Sequence, residues 1–282
     1  MAKRASVGPR ESDVVMSDGD MERVGLVPER IGVWIMNSKG GVGKTTLSVA
    51  IADLLHISDR PVRLLEIDTR KRLSSFMGES DVLSFEGAPP ISEIRRNPNL
   101  VLKHYDPIMT EMEKGDCLLD MGANEDPSFL EYCNLSRIDE DLVDMRVSVV
   151  AIVPTVAETE SVRGALAALD RVRDVVPSAR RVLVLNERDQ GDFDRYFDTS
   201  IVSDLDRQGV ATVVMPKIIS EGWDEFQRMK LRFIDIIGMD VPEIQEKFGW
   251  SRQFAKRARG DMAAWFEQMR IRMSVVLPIV ED

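Results

Sequence analysis

The chain is poor in the residues that build metal centres and disulfide frameworks. It has two cysteines, Cys117 and Cys133, and no CxxC spacing. No disulfide framework or thiolate metal site is implied, and two buried thiols in a reducing compartment are expected. The two histidines, His56 and His104, lie too far apart in sequence to suggest a metal pair. No apolar run approaches the length of a membrane-spanning helix. Met1-Ala2-Lys3-Arg4 begins like a secretory leader, but no apolar stretch follows it. A soluble, cytoplasmic protein is expected. Net positive charge is also missing: the balance over 282 residues is -11. Bulk attraction to nucleic acid is thereby excluded, and any DNA contact needs a local basic patch.

What is present is ordinary globular composition with a clear internal order. Residues 1–29 are polar and without periodicity, and read as a flexible tail. Residues 30–282 read as one domain. Apolar runs at 31–36, 62–67, 117–120, 147–153, 182–185 and 210–215 predict buried strands. Helical stretches such as 158–176 and 196–208 alternate with them. That alternation predicts an α/β fold, a mostly parallel twisted sheet with helices on both faces. The segment from about 70 to 115, with the helix breakers Pro89-Pro90 and Asn97-Pro98-Asn99, reads as less regular. From about 217 the chain reads as extra C-terminal helices. The last has an apolar stripe at Phe254, Ala258, Met262, Trp265 and Met269.

The chemistry concentrates after the first strand, at Lys39-Gly40-Gly41-Val42-Gly43-Lys44-Thr45-Thr46. Glycines let backbone N–H groups converge on a phosphate, and the following helix adds its N-terminal dipole. Lys44 supplies charge to the phosphates, and the Thr45 hydroxyl suits magnesium. The usual phosphate loop has glycine six residues before the lysine, where this chain has Ser38.

The run Ser38-Lys39-Gly40-Gly41-Val42-Gly43-Lys44-Thr45-Thr46 resembles the deviant Walker A box of the ParA/MinD family of P-loop ATPases, a SIMIBI-type fold. The resemblance spans roughly residues 31–220. It implies that Lys39 reaches the ATP of a second subunit in a nucleotide-sandwich homodimer. It implies that Asp68 orients the attacking water, and that Asp120, in Leu118-Leu119-Asp120-Met121-Gly122-Ala123, holds Mg2+. Gly122 would offer its N–H to the γ-phosphate, and Asn186, Met215 and Pro216 would meet the base. The family often has aspartate where this chain has Glu66, which leaves that residue's role open. Asn186-Glu187-Arg188-Asp189 also has the Asn-x-x-Asp spacing of guanine readers, although lysine usually stands second there. Lys39 favours ATP.

The resemblance further implies a slow ATP hydrolase stimulated by a small adaptor or DNA-binding partner. Three functions compete. The first is a short ParA-like ATPase for DNA or plasmid partition, cargo positioning or conjugative transfer, with the nucleoid as a location. Nonspecific DNA would meet the basic helix face with Arg252, Lys256, Arg257 and Arg259. No helix-turn-helix precedes the domain, so sequence-specific operator binding is not expected. The second is a membrane-associated MinD-like ATPase, against which Pro278 and the terminal Glu281-Asp282 argue. The third is a metal-loading or electron-donating relative, for which no cysteine cluster motif is present.

Overall fold

A computed structural model describes residues 29–89, 91–97, 99–189, 193–197 and 199–279. Nearly all of the predicted tail, together with Pro90, Pro98 and residues 280–282, lies outside the described residues. The chain runs β1 (Arg30–Ile35), α1 (Lys44–Ile57), β2 (Arg63–Ile67), α2 (Arg72–Met77), β3 (Val82–Phe85), α3 (Ile91–Arg96) and α4 (Asn99–Met112). It continues through β4 (Cys117–Met121), α5 (Asp126–Ser136), α6 (Ile138–Asp144), β5 (Val147–Thr155), α7 (Thr159–Val175) and β6 (Arg180–Asn186). Then follow α8 (Thr199–Arg207), β7 (Val210–Met215), α9 (Trp223–Arg228), α10 (Phe233–Gly238), α11 (Val241–Phe248) and α12 (Arg252–Ser274).

Seven strands form one sheet in the order β3-β2-β4-β1-β5-β6-β7. Every neighbouring pair is parallel. Side chains alternate across a strand, so each strand feeds two cores. Ile31, Val33 and Ile35 of β1 face one core with α1 and the C-terminal helices. Trp34 and Met36 face the other, with α4, α5 and α7. The register sets Ile35 and Glu66 beside Asp120, and Asn186 beside Met215. Parallel strands end at one edge, so the loops after β1, β2, β4, β6 and β7 open together there.

The less regular 70–115 segment holds the short elements α2, β3 and α3, and then α4. α3 ends at Arg96 and α4 begins at Asn99. Pro107 lies inside α4 on its exposed side, where the lost backbone hydrogen bond costs least. Val101, Tyr105, Ile108 and Met112 bury the opposite side. After α12 the chain turns back, and Val276, Leu277 and Ile279 are buried in the core.

Candidate nucleotide site

The loop between β1 and α1 is anchored before it turns. Asn37 is fully buried; its Nδ2 donates to the Pro154 carbonyl at 2.8 Å, and its Oδ1 accepts the Lys39 N–H at 2.8 Å. Ser38 Oγ donates to the Asp126 carboxylate at 2.8 and 2.9 Å. Gly41 and Gly43 have φ of 77° and 94°, left-handed values that favour glycine. A Cβ on Gly43 would also lie 2.4 Å from Asn186 Nδ2. Gly43 is the N-cap of α1, no side chain caps that helix, and its first turn holds no acid. Gly40 and Gly41 are exposed and Thr46 is half-buried at this helix start. Such an end favours an anion.

Lys44 folds back over the loop. Its Nζ donates to the carbonyls of Asn37 at 2.5 Å and Lys39 at 2.9 Å. Burial lowers its pKa, against the pull of Asp120, Asp126 and Asp68. Lys39 goes the other way. Its ammonium lies 3.3 Å from Glu160 and 3.7 Å from Glu158, at the start of α7, and the side chain is 37% exposed.

Thr45 Oγ1 donates to Asp120 Oδ2 at 2.9 Å. Asp120 Oδ1 is buried and has no hydrogen-bond partner among the described residues. Burial pushes this carboxyl up to about 6, against the pull of Thr45 and Lys44. A buried carboxylate oxygen with spare lone pairs, next to a hydroxyl, is a donor set for a hard divalent cation. The residues therefore fit Mg2+.

Asp68 lies just beyond β2. Its carboxylate accepts Arg72 Nε at 2.6 Å and the Arg70 N–H at 3.2 Å. Burial raises its pKa, but these partners outweigh burial and hold it below the usual carboxylate range. Glu66 is turned away from the phosphate loop. It accepts the Leu73 and Ser74 N–H groups at the start of α2 and the Ser84 hydroxyl at 2.6 Å, and it also bonds the Ser74 hydroxyl. Its position where the family often has aspartate is thus spent on joining α2 and β3 to β2. Gly122 donates its N–H to the Ile67 carbonyl at 2.7 Å. Meeting a phosphate would require that bond to open. A side chain there would strike the same carbonyl, at 2.8 Å.

Asn186 Nδ2 donates to the Val42 carbonyl at 3.0 Å, and its Oδ1 accepts the Arg188 N–H at 3.0 Å. Arg188 also bonds the Gly41 carbonyl and pairs with Asp189 at 2.5 Å. Met215 is buried at the end of β7, and the Pro216 carbonyl accepts Trp265 Nε1 at 2.7 Å. Arg252, Lys256 and Arg257 are exposed on α12. Arg259 is not exposed with them: its guanidinium donates to the Ile237 carbonyl at 3.0 and 2.7 Å. Both cysteines are core residues, and burial pushes the Cys117 thiol up to about 12.

Sequence reasoning missed Asp126, Arg72 and Arg188. Arg72 had a signal, the i,i+4 spacing from Asp68. Asp126 had one in Asp126-Pro127, a helix start soon after the Asp120 strand. Arg188 had none, since its contact with Gly41 spans 147 positions.

The CobQ/CobB/MinD/ParA nucleotide binding domain model matches residues 33–237. No curated protein matches. Among solved structures, the chain is similar to the MinC:MinD cell division protein complex of Aquifex aeolicus, with 16% identity over 82% of this chain and 95% of that one, TM-score 0.38. It is similar to the Aquifex aeolicus MinD cell division protein, with 15% identity over 84% and 96%, TM-score 0.39. It is also similar to the Pyrococcus furiosus cell division ATPase MinD, with 14% identity over 86% and 98%, TM-score 0.44.

Proposed function

The chain belongs to the CobQ/CobB/MinD/ParA nucleotide-binding domain family, and from that premise we propose that it is an ATP-dependent dimerising switch of the ParA type. In this reading it positions DNA or another cargo, and phosphate contacts from α12 hold it on duplex DNA. The carrying observation is that the two loop lysines have different partners. Lys44 turns inward onto the loop's own carbonyls, while Lys39 turns outward to a half-exposed position. A loop that served only its own phosphates would need one lysine. Among the described residues the Lys39 ammonium pairs with Glu158 and Glu160 and not with the loop, which supports a role at the phosphate of a second chain.

Within this reading Lys44 and the N–H groups from Gly40 to Thr46 hold the phosphates. Thr45 and Asp120 would hold Mg2+, which when bound neutralises charge on the phosphate oxygens. Asp68 orients the water, and Gly122 meets the γ-phosphate once its bond to Ile67 opens. Asn186, Met215 and Pro216 border the base. ATP is favoured over GTP because Lys39 matches the ATP-using pattern and Glu187 stands where guanine readers usually have lysine. Turnover is slow until an adaptor or DNA-binding partner stimulates it.

The test is molecular mass by light scattering of the Asp68→Ala chain with ADP, ATP and GTP. A dimer with ATP alone is expected. A monomer under all three conditions would sink the switch reading, and a dimer with GTP alone would reassign the base.

A further inference from the structure

The C-terminal helices hold a second arrangement with the marks of a binding module. α11 begins at a reciprocal cap, in which Asp240 accepts the Glu243 N–H at 2.9 Å and Glu243 accepts the Asp240 N–H at 2.7 Å. It ends at Gly249 in the left-handed region, φ 67°. Trp250 follows, and Ser251 caps α12 by accepting the Phe254 N–H at 3.3 Å. The turn between the helices is therefore Gly249-Trp250-Ser251.

Aromatic packing fixes this turn. Trp250 stacks on Phe248 with ring centres 4.6 Å apart and meets Phe254 edge-on at 4.6 Å. Gly222 makes room for the indole, since a Cβ there would lie 2.7 Å from it. Ile244 of α11 and Ala255 and Ala258 of α12 are buried behind it. Two short-linked helices with a glycine turn and a shared apolar core are the parts of a helix-turn-helix.

The outer face of α12 is equally defined. Arg252, Gln253, Lys256, Arg257 and Gly260 are exposed. At about 100° per residue they fall within about 140° of arc, opposite the face that buries Ala255, Ala258 and Met262. α12 contains no acid before Asp261, in a chain of net charge -11. Arg252 and Lys256 make no ion pair among the described residues, and Arg257 has only a 4.0 Å contact with Glu221. The nearest opposing charge on α11 that is exposed and outside its cap is Glu246.

We propose that α11 and α12 form a helix-turn-helix that reads base sequence in the major groove of duplex DNA. Arg252, Gln253 and Lys256, on the first turns of the second helix, face the base edges, and Arg257 faces the phosphates. First-turn positions are where such a helix reaches bases. Arginine and lysine match guanine acceptors there, and glutamine matches the paired donor and acceptor of adenine. This rests on the reading that α12 meets DNA and adds base recognition to its phosphate contacts. Because that reading pairs two copies about a two-fold axis, the bound sequence should be an inverted repeat.

The experiment is selection from a random duplex pool by the full-length Asp68→Ala chain with ATP at physiological salt. Anisotropy on the enriched and a scrambled duplex follows. Enrichment of one motif, bound roughly tenfold or more tighter than the scrambled duplex, is expected. Gln253→Ala should erase preference at one or two positions while leaving scrambled-duplex binding unchanged. Arg257→Ala should weaken both and reduce the salt slope. Both variants are at exposed positions, and light scattering with ATP checks that they still fold and dimerise. Equal binding to every duplex would overturn base reading and leave the phosphate-contact reading standing. A chain that dimerises with ATP but binds no duplex would overturn both DNA readings.

Discussion

Arg232 closes its guanidinium on the fully buried carboxylate of Asp53, at 2.6 and 2.9 Å, across 179 positions of chain. The other oxygen of Asp53 accepts the N–H groups of Phe233 and Ile234 at 3.0 and 3.3 Å. One carboxylate on the phosphate-loop helix thus binds a cation and caps α10. It ties the C-terminal helices to the phosphate-loop helix, towards the end of that helix remote from the loop. Removing one member of a buried pair strands the other, at about 3–5 kcal/mol. Arg232 is 24% exposed and can rehydrate, so Asp53→Ala is expected near the lower bound, about 3 kcal/mol. Urea unfolding of the two single variants and the double variant measures it. A double variant equal to the sum of the singles would show that the two residues act independently.

The two loop lysines should separate cleanly. Lys44→Ala removes the ammonium that lies among the loop carbonyls and is expected to abolish nucleotide binding. Lys39→Ala is expected to leave binding to the monomer intact and remove ATP-driven dimerisation. The Lys39 contacts with Glu158 and Glu160 are exposed, so losing them should cost less than about 1 kcal/mol. Calorimetric binding, light scattering and a melting curve on each variant decide this. An ATP dimer that survives Lys39→Ala would reduce that residue to a surface ion pair.

The parts of the molecule legible in the sequence are those that local pattern determines. An apolar run, a glycine turn and a helix made β1, the loop and α1 readable, and Leu118-Leu119-Asp120 announced a strand ending in an acid. β3 was hidden because its two central residues, Leu83 and Ser84, are exposed and the run is only four residues long. α4 was hidden by Pro107, whose cost falls on a solvent-facing side. Glu66 could not be assigned from spacing, since its partners, the start of α2 and Ser84, are set by tertiary packing. Arg259 belonged to the basic run by sequence, yet the Ile237 carbonyl takes its guanidinium out of the exposed face. The Gly249-Trp250-Ser251 turn takes its form from Trp250 packing against Gly222, a tertiary contact that local pattern does not determine.

Asp68 should show a pH signature as well as a catalytic one. Its folded pKa is below the unfolded value, because Arg72 and the Arg70 N–H outweigh burial. Its stabilisation is therefore present above the unfolded value of about 4 and lost as pH falls through the folded one. Asp68→Asn should melt lower than the parent at neutral pH, by about 1 kcal/mol given that Arg72 is 37% exposed. The gap should close below about pH 4. Melting curves from neutral to acid pH measure it, and a gap constant to low pH would remove the ion pair as its cause. The same variant should bind ATP and turn it over roughly 100-fold or more slowly.

Gly43 is constrained twice, by a φ of 94° and by Asn186 Nδ2 at 2.4 Å from where a Cβ would stand. The left-handed backbone alone costs a side chain about 1–2 kcal/mol. The contact adds more, because moving the Asn186 amide breaks its bond to the Val42 carbonyl. Gly43→Ala should therefore destabilise the protein by about 2–4 kcal/mol, the sum of strain and overpacking, and weaken nucleotide binding. Asn186→Ala in the same chain removes the clash and leaves the strain. The double variant should recover part of the stability that Gly43→Ala loses, while nucleotide binding stays weak because both the loop and the base edge are altered. Thermal melting of the three variants checks the first claim and nucleotide titration the second. A double variant less stable than Gly43→Ala would mean that the Asn186 bond to Val42 matters more to the loop than the space it occupies.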